Sequence, residues 1–256
     1  MANLDVDKLL KSGAHFGHPS SKWHPNFKPF IADKKNGIHI IDLNHTMKSL
    51  FKARDELVKI VKSGGFILFV GTKKQAKDTV QVAADRCGMF YVVERWLGGT
   101  LTNFSTIKKS IKRLVMLEKD SSSLFKNLTK KELGQLDREK LKLSDLHRGI
   151  KDMSYIPSAL FFIDGIHEKI AINEAKVLGI PTFGIIDSNT DPSVVDFPIP
   201  ANDDSVKTIQ LIVNFLSDEI AEVQGKSSVD NDDSKDKDVN KDVNVVDENR
   251  KVEIKE

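Results

Sequence analysis

The sequence predicts an α/β fold built on a doubly wound parallel sheet, and three observations carry that expectation. Short β-branched or aromatic clusters alternate with helical patterns in regular order. One of them, Phe66-Ile67-Leu68-Phe69-Val70, is a continuous apolar run of strand length, as a central strand covered on both faces requires. Parallel strands need crossovers, and the helical patterns stand where those crossovers fall.

The elements follow in order. Asn36-Gly37 precedes Ile38 to Ile41, read as a short strand, and Asn44 then caps a helix carrying Met47, Leu50, Phe51, Leu57, Val58 and Val61. Ser63-Gly64-Gly65 ends it. After the Phe66 to Val70 strand come a helix from about Lys74 to Arg86 and a strand at Phe90 to Val93. Ala159 to Ile163, Thr182 to Ile186 and the short Phe197 to Ile199 continue the strands, with a helix around His167 to Leu178 between two of them. A last helix begins at Asp203 and runs to about Val223. The expected architecture is Rossmann- or flavodoxin-like.

Two segments break the alternation. Gly13 to Lys35 holds histidines at 15, 18 and 24, prolines at 19, 25 and 29, and Trp23, without a usable period; it reads as an ordered loop. Phe104 to Ile150 carries two helical stripes, Phe104, Ile107, Ile111, Leu114, Leu117 and then Leu133, Leu136, Leu143, Ile150, the second opened by a capping box at Thr129-Lys130-Lys131-Glu132. Only an antiparallel coiled-coil hairpin buries both stripes, so an arm standing out from the sheet is expected, with Lys140 and His147 spoiling its seam. From Gly225 onward Asp, Lys, Asn and Val alternate without aromatics, which predicts a disordered tail. The expected division is 1–103 with 152–224 as the globular domain, 104–151 as the inserted hairpin and 225–256 as the tail.

Composition bounds the function. The 256 residues, 39% hydrophobic and 30% charged, bury a real core and rule out a disulfide mini-protein. No run approaches the roughly 18 consecutive apolar residues of a membrane helix. Residues 1–11 form an amphipathic, acid-containing start with no apolar signal core, so a cytoplasmic protein is expected. The single cysteine, Cys87, lies in a helical pattern and reads as a buried thiol. The net charge of +2 is uneven: residues 104–151 hold thirteen Lys/Arg against six acids, whereas the last 31 residues hold seven against ten. A local excess of that kind is the electrostatic footprint of a polyanion partner.

The motifs point the same way. Val70-Gly71-Thr72-Lys73-Lys74 is a strand-to-helix turn where this kind of fold cradles phosphate, but the glycines of a P-loop or dinucleotide fingerprint are missing. Lys73 and Lys74 remain candidates for an RNA phosphate. Asp187, Asp191, Asp196, Asp203 and Asp204 cluster at the expected carboxyl edge of the sheet. Capping and turn roles are the first reading there, and a divalent ion shared with His15 or His18 is the other. These acids also repel a nucleotide phosphate. No zincin pair follows His167-Glu168, and no nucleophile elbow occurs, so no catalytic residue is assigned. Arg95-Trp96-Leu97-Gly98-Gly99-Thr100-Leu101-Thr102-Asn103 joins a strand to the basic segment, with Trp96 read as an anchor and Arg95 as an RNA contact. Lys108 with Lys112, and Lys109 with Arg113, repeat at four-residue steps outside the apolar stripe, where like charges call for an external anion.

Several strings then resemble one family. They are Gly13-Ala14-His15-Phe16-Gly17-His18, Trp23 with Pro25, Lys28-Pro29-Phe30-Ile31, Asn36 to Leu43, Phe69 to Lys73, Arg95 to Gly99 with Leu101-Thr102-Asn103, Leu178 to Pro181, Asp187-Ser188-Asn189 and Asp191-Pro192. Together, over about residues 4 to 223, they resemble the family of bacterial small-subunit ribosomal protein number two. The resemblance implies a parallel α/β domain with a coiled-coil hairpin, bound to 16S rRNA between head and body of the 30S subunit. It also implies docking of the large messenger-binding ribosomal protein number one, and no catalysis; beside it, the residues themselves suggest no cofactor, membrane or small-molecule substrate, other small-subunit proteins are expected as neighbours, and no metal ligand is assigned. The RNA face it implies is the Gly13 to Lys35 segment, the Arg95 to Asn103 loop and the basic hairpin; charge and side-chain reach select His15, His18, Lys22, Lys28, Lys34, Lys35, Arg95, Thr102, Asn103, Lys108, Lys109, Lys112 and Arg113 within them, beside Lys73 and Lys74 of the Gly71 turn. Lys22 and His24 stand where relatives often carry Arg and Asn, and the tail has no counterpart. The competing readings are a nucleotide- or flavin-binding enzyme at the Gly71 turn and a free protein–protein scaffold.

Overall fold

A computed structural model describes residues 4–119 and 129–225; the expected tail over 226–256 lies outside them. The chain opens with α1 (Val6–Ser12), started by the Asp5 carboxylate, which accepts the Val6 N–H at 2.7 Å. Where a loop was expected over Gly13 to Lys35, there is ordered sheet instead. Strands β1 (Phe16–Pro19) and β2 (Ile31–Lys35), separated by a 3-10 turn over Pro25–Phe30, flank β3 (Ile38–Ile41) in an antiparallel sheet of order β1-β3-β2. Ile38 to Ile41 is therefore no member of the parallel series. The β2–β3 turn is Asn36-Gly37, with φ of 52° and 79°, the left-handed pair that a two-residue hairpin needs. In β2 only Ile31 is even partly covered, so there was no in–out alternation for periodicity to detect.

Helix α2 (Leu43–Lys62) is capped by Asp42, not Asn44: the Asp42 carboxylate accepts the Asn44 N–H at 2.9 Å. Then follow β4 (Ile67–Val70), α3 (Lys77–Cys87) and β5 (Phe90–Val92), the excursion α4 (Phe104–Lys119) and α5 (Lys130–His147), and β6 (Ala159–Ile163). The chain finishes through α6 (Lys169–Val177), β7 (Thr182–Ile186), β8 (Phe197–Pro200) and α7 (Val206–Val223). The main sheet is all parallel in the order β5-β4-β6-β7-β8. Every residue of β4, β6 and β7 is buried. Their alternate side chains feed two cores. Phe69, Phe161 and Phe183 pack with residues of α2, α3 and α7; Leu68, Val70, Leu160 and Phe162 pack with α6, Trp96 and the start of α4. Full burial of one such side chain stabilises by about 1.5–3 kcal/mol, which is why both faces are closed.

The excursion is an antiparallel pair of helices tied by Ser110 to His147 and Arg113 to Glu139. The capping box is present at Thr129 and Glu132, with the Thr129 N–H on Glu132 Oε2 at 2.8 Å. Its base is rooted in the globular part, because Ile107 and Ile111 belong to the same core as Leu68 and Trp96. In α5, Leu133, Leu136 and Leu143 are only half-buried, so the seam is thin. His147, expected to spoil it, is fully buried, and its Nε2 meets Ser110 Oγ at 2.8 Å. Burial lowers its pKa and keeps it neutral.

Gly149, in the short 3-10 turn Arg148–Ile150, runs so close to β5 that a Cβ would collide with the Tyr91 carbonyl oxygen and ring. Gly149→Ala is expected to lower the stability read from urea denaturation by about 1–3 kcal/mol, as overpacking does. An unchanged midpoint would mean that the base of the excursion is free to shift.

Candidate nucleic-acid interface

Chain order runs from β4 outward to β5 and then back across to β6, so the carboxyl ends of β4 and β6 bound the crevice where such sheets take ligands. The chain fills that crevice with its own groups. The Glu168 carboxylate accepts the Thr72 N–H at 2.8 Å and the Thr72 hydroxyl at 2.6 Å, where a phosphate would otherwise lie. Burial pushes the Glu168 carboxyl up. Gly71 serves packing: a Cβ there would lie 2.7 Å from Val80 Cγ2 of α3.

Lys73 turns inward. Its Nζ lies 2.6 Å from Asp203, 2.7 Å from Asp204 and 3.2 Å from Asp164. Burial alone would lower the Lys73 pKa, but these carboxylates, Asp203 foremost, raise it. Burial, with the charges of Asp164 and Asp187, pushes the Asp203 carboxyl up to about 7 against the pull of Lys73. His18 completes the cluster through Nδ1, 2.6 Å from Asp187 Oδ2, and that hydrogen bond raises its pKa. His18, Asp187, Asp203 and Asp204 offer ligand atoms within 4.8 Å of one another, a donor set that suits a divalent cation. Asp203 Oδ2 is buried without a partner. His15, the other candidate from the sequence, lies apart, its ring against Phe16 at 3.9 Å, with its pKa lowered by burial.

The loop after β5 is held differently. Trp96 is buried and its indole N–H donates to Glu174 Oε1 at 3.1 Å, so it is an anchor, as read from the sequence. Gly99, Leu101 and Thr102 donate backbone N–H groups to the same carboxylate at 2.8, 3.0 and 3.1 Å, and the Thr102 hydroxyl adds a contact at 3.2 Å. Burial would raise the Glu174 pKa, but these donors hold it below the ordinary carboxylate range. Thr102 is thus used within the chain. Asn103 accepts the Thr106 hydroxyl at 2.8 Å at the start of α4, and Arg95 is exposed.

On α4, Lys109 and Lys112 are exposed, whereas Arg113 donates two hydrogen bonds to Glu139, at 3.0 and 3.2 Å. Lys108 reaches the Ser154 carbonyl and lies over the Phe104 ring at 5.1 Å. Lys108, Lys112, Lys119 and Lys151 rim one groove of about 780 Å³, floored by Ile111, Val115 and Met153. Elsewhere Lys22 and Lys28 are exposed around the 3-10 turn, Lys34 and Lys35 on the edge strand β2, and Lys74 at the foot of α3. The exposed cationic candidates therefore lie on the small sheet, at Lys74, at Arg95 and along the excursion, whereas His18, Lys73 and Arg113 are held in internal pairs and Lys108 reaches the Ser154 carbonyl. Sequence reasoning passed over Glu174 and left Lys119 and Lys151 out of the site. The signal for Glu174 was an acid among Ala171, Ile172 and Ala175 on the apolar face of α6.

The sequence matches the protein family described as Ribosomal protein S2 over residues 9–223. The small ribosomal subunit protein uS2 of Chloroherpeton thalassium is 49% identical over 233 residues, covering 91% of this chain and 93% of the relative. That of Fusobacterium nucleatum subsp. nucleatum is 43% identical over 242 residues, covering 94% and 97%.

Removing Lys73 leaves buried carboxylates facing one another, so Lys73→Met is expected to cost about 3–5 kcal/mol in chemical denaturation at pH 8. The cost should shrink toward pH 5. Asp203 has a raised native pKa, so the native state holds its proton where the unfolded state has lost it, and its share of the negative charge facing Lys73 appears as pH rises through about 7. A cost independent of pH would contradict the ion cluster.

Proposed function

The chain belongs to the ribosomal protein S2 family and so has a structural role in the small ribosomal subunit, and we propose from that premise that it binds 16S rRNA through the excursion and the Arg95 loop. The observation that carries this reading is the groove along α4, where exposed Lys112 and Lys119 lie beside Lys108, which reaches the Ser154 carbonyl, and Lys151, which pairs with Glu118. Exposed Lys109 and Arg95 extend the supply of cations. A-form RNA hides its major groove from side chains, so the contacts are phosphate neutralisation and shape fit, with little base reading. The exposed lysines of the small sheet, Lys22, Lys28, Lys34 and Lys35, form a second phosphate-facing group. In this reading the excursion 104–151 works as a unit inserted into the globular part, which lies between head and body of the subunit. The protein also helps dock the large messenger-binding ribosomal protein number one, and it resides on cytoplasmic ribosomes.

A nucleotide- or flavin-binding enzyme fits poorly. Thr72 is capped by Glu168, Lys73 is neutralised, and the carboxyl edge is acidic. Among the described residues no helix is long and apolar enough to cross a membrane.

Reversing two exposed charges, Lys109→Glu with Lys112→Glu, tests the interface. Affinity for a 16S rRNA fragment should fall at least tenfold at 100 mM salt, and each lost phosphate contact should take roughly 0.7–0.9 off the log–log salt slope. Circular dichroism should not change. Equal slopes for the two proteins, or normal incorporation of the variant into 30S particles on a sucrose gradient, would remove α4 from the interface.

A further inference from the structure

Glu174 is a buried carboxylate with no cation paired to it among the described residues. Charge buried without a counter-ion is costly unless dipoles replace the water it has lost. Here five donors do so, and all of them come from one seven-residue stretch: the Trp96 indole and Gly99 N–H on one oxygen, Leu101 N–H, Thr102 N–H and the Thr102 hydroxyl on the other. The arrangement is an anion cradle made by the loop and filled by a side chain from α6.

We propose that Glu174 is the positioning residue of the excursion: its carboxylate folds the 96–102 loop around itself and so sets the direction in which α4 leaves the globular part. The geometry gives the reason. The loop begins four residues after β5 ends at Val92 and stops two residues before α4 starts at Phe104, with Asn103 N–H on the Gly99 carbonyl at 2.8 Å. Gly99 holds a φ of 87°, a left-handed conformation that its bond to Glu174 fixes in place. Ile107 and Ile111, one and two turns further on, meet the core only if α4 starts at that angle. The effect on RNA rests on the reading of the preceding section; the positioning itself does not.

The test is chemical rescue in the full chain. Glu174→Ala leaves an empty cradle of N–H donors that a small carboxylate fits. Spin labels at Met116 and Val82, both exposed, placed in a Cys87→Ser background, report the angle of α4 to the body. The parent protein should give one narrow distance distribution. In Glu174→Ala the distribution should broaden, and amide exchange at Gly99, Leu101 and Thr102 should speed up at least tenfold. Both should return toward the parent values in 100 mM acetate and not in chloride of equal ionic strength. Glu174→Gln keeps the volume and turns an NH2 group toward N–H donors, so it should raise exchange at one donor pair with no acetate response; this variant serves if the alanine protein does not fold. An unbroadened distribution with slow exchange overturns the proposal, as does broadening that chloride reverses equally well. RNA binding is read separately. If acetate restores the distance but the affinity for the 16S fragment never changed, the positioning role stands and the assignment of α4 to RNA falls.

Discussion

A parallel sheet buried on both faces leaves a chain only its strand ends and its excursions with which to meet anything else. Strands β4, β6 and β7 expose no residue to solvent, because their alternate side chains supply two separate cores. The remaining outlets are the carboxyl edge, the small antiparallel sheet beside it and the long excursion between β5 and β6. In most folds of this kind the carboxyl edge carries the function. Here it is unsuited to an anion, since aspartates follow β6, β7 and β8 and their field is met from within by inward-turned Lys73 and by His18 on Asp187. Positive charge free for a partner is found instead on the excursion and on the small sheet.

The two internal charge centres solve opposite problems. At the carboxyl edge, Lys73 offsets repulsion among acids that the strand ends bring together, and Asp203 answers by holding its proton more tightly. Beneath the loop, Glu174 needs no cation because backbone dipoles converge on it. The first closes a crevice; the second gives shape to a surface. Both are buried, and salt screens such contacts far less than it screens the exposed lysines. The frame is therefore expected to outlast the surface electrostatics as ionic strength rises.

Much of this was legible in the sequence. Ala159–Ile163 and Thr182–Ile186 are strands at the predicted bounds, and the Thr129–Glu132 capping box starts α5. These signals are local: a run of apolar residues, or two polar side chains three apart. The misreadings are equally specific. Gly13 to Lys35 looked irregular because β1 and β2 are short and exposed, although Asn36-Gly37 was a hairpin signal already in view. Lys73 looked like a candidate phosphate contact because it follows the glycine of a strand-to-helix turn. Arg113 and Lys112 looked alike from their spacing, yet only the first has Glu139 across the seam.

What the sequence determined by itself is the alternation of strands and helices, the absence of nucleotide and catalytic fingerprints, and the concentration of positive charge in residues 104–151. The first two depend on side chains within about one helical turn or one strand length of one another, and the third is a sum along the chain. What the tertiary structure decided is which charges remain available. Lys73 and Asp203 stand 130 positions apart and Thr102 and Glu174 stand 72 apart, and such partners meet only after the sheet has set its strand order. Charge in a sequence is a sum, whereas charge in a fold is a set of pairings, and only burial and distance determine which of them are already satisfied.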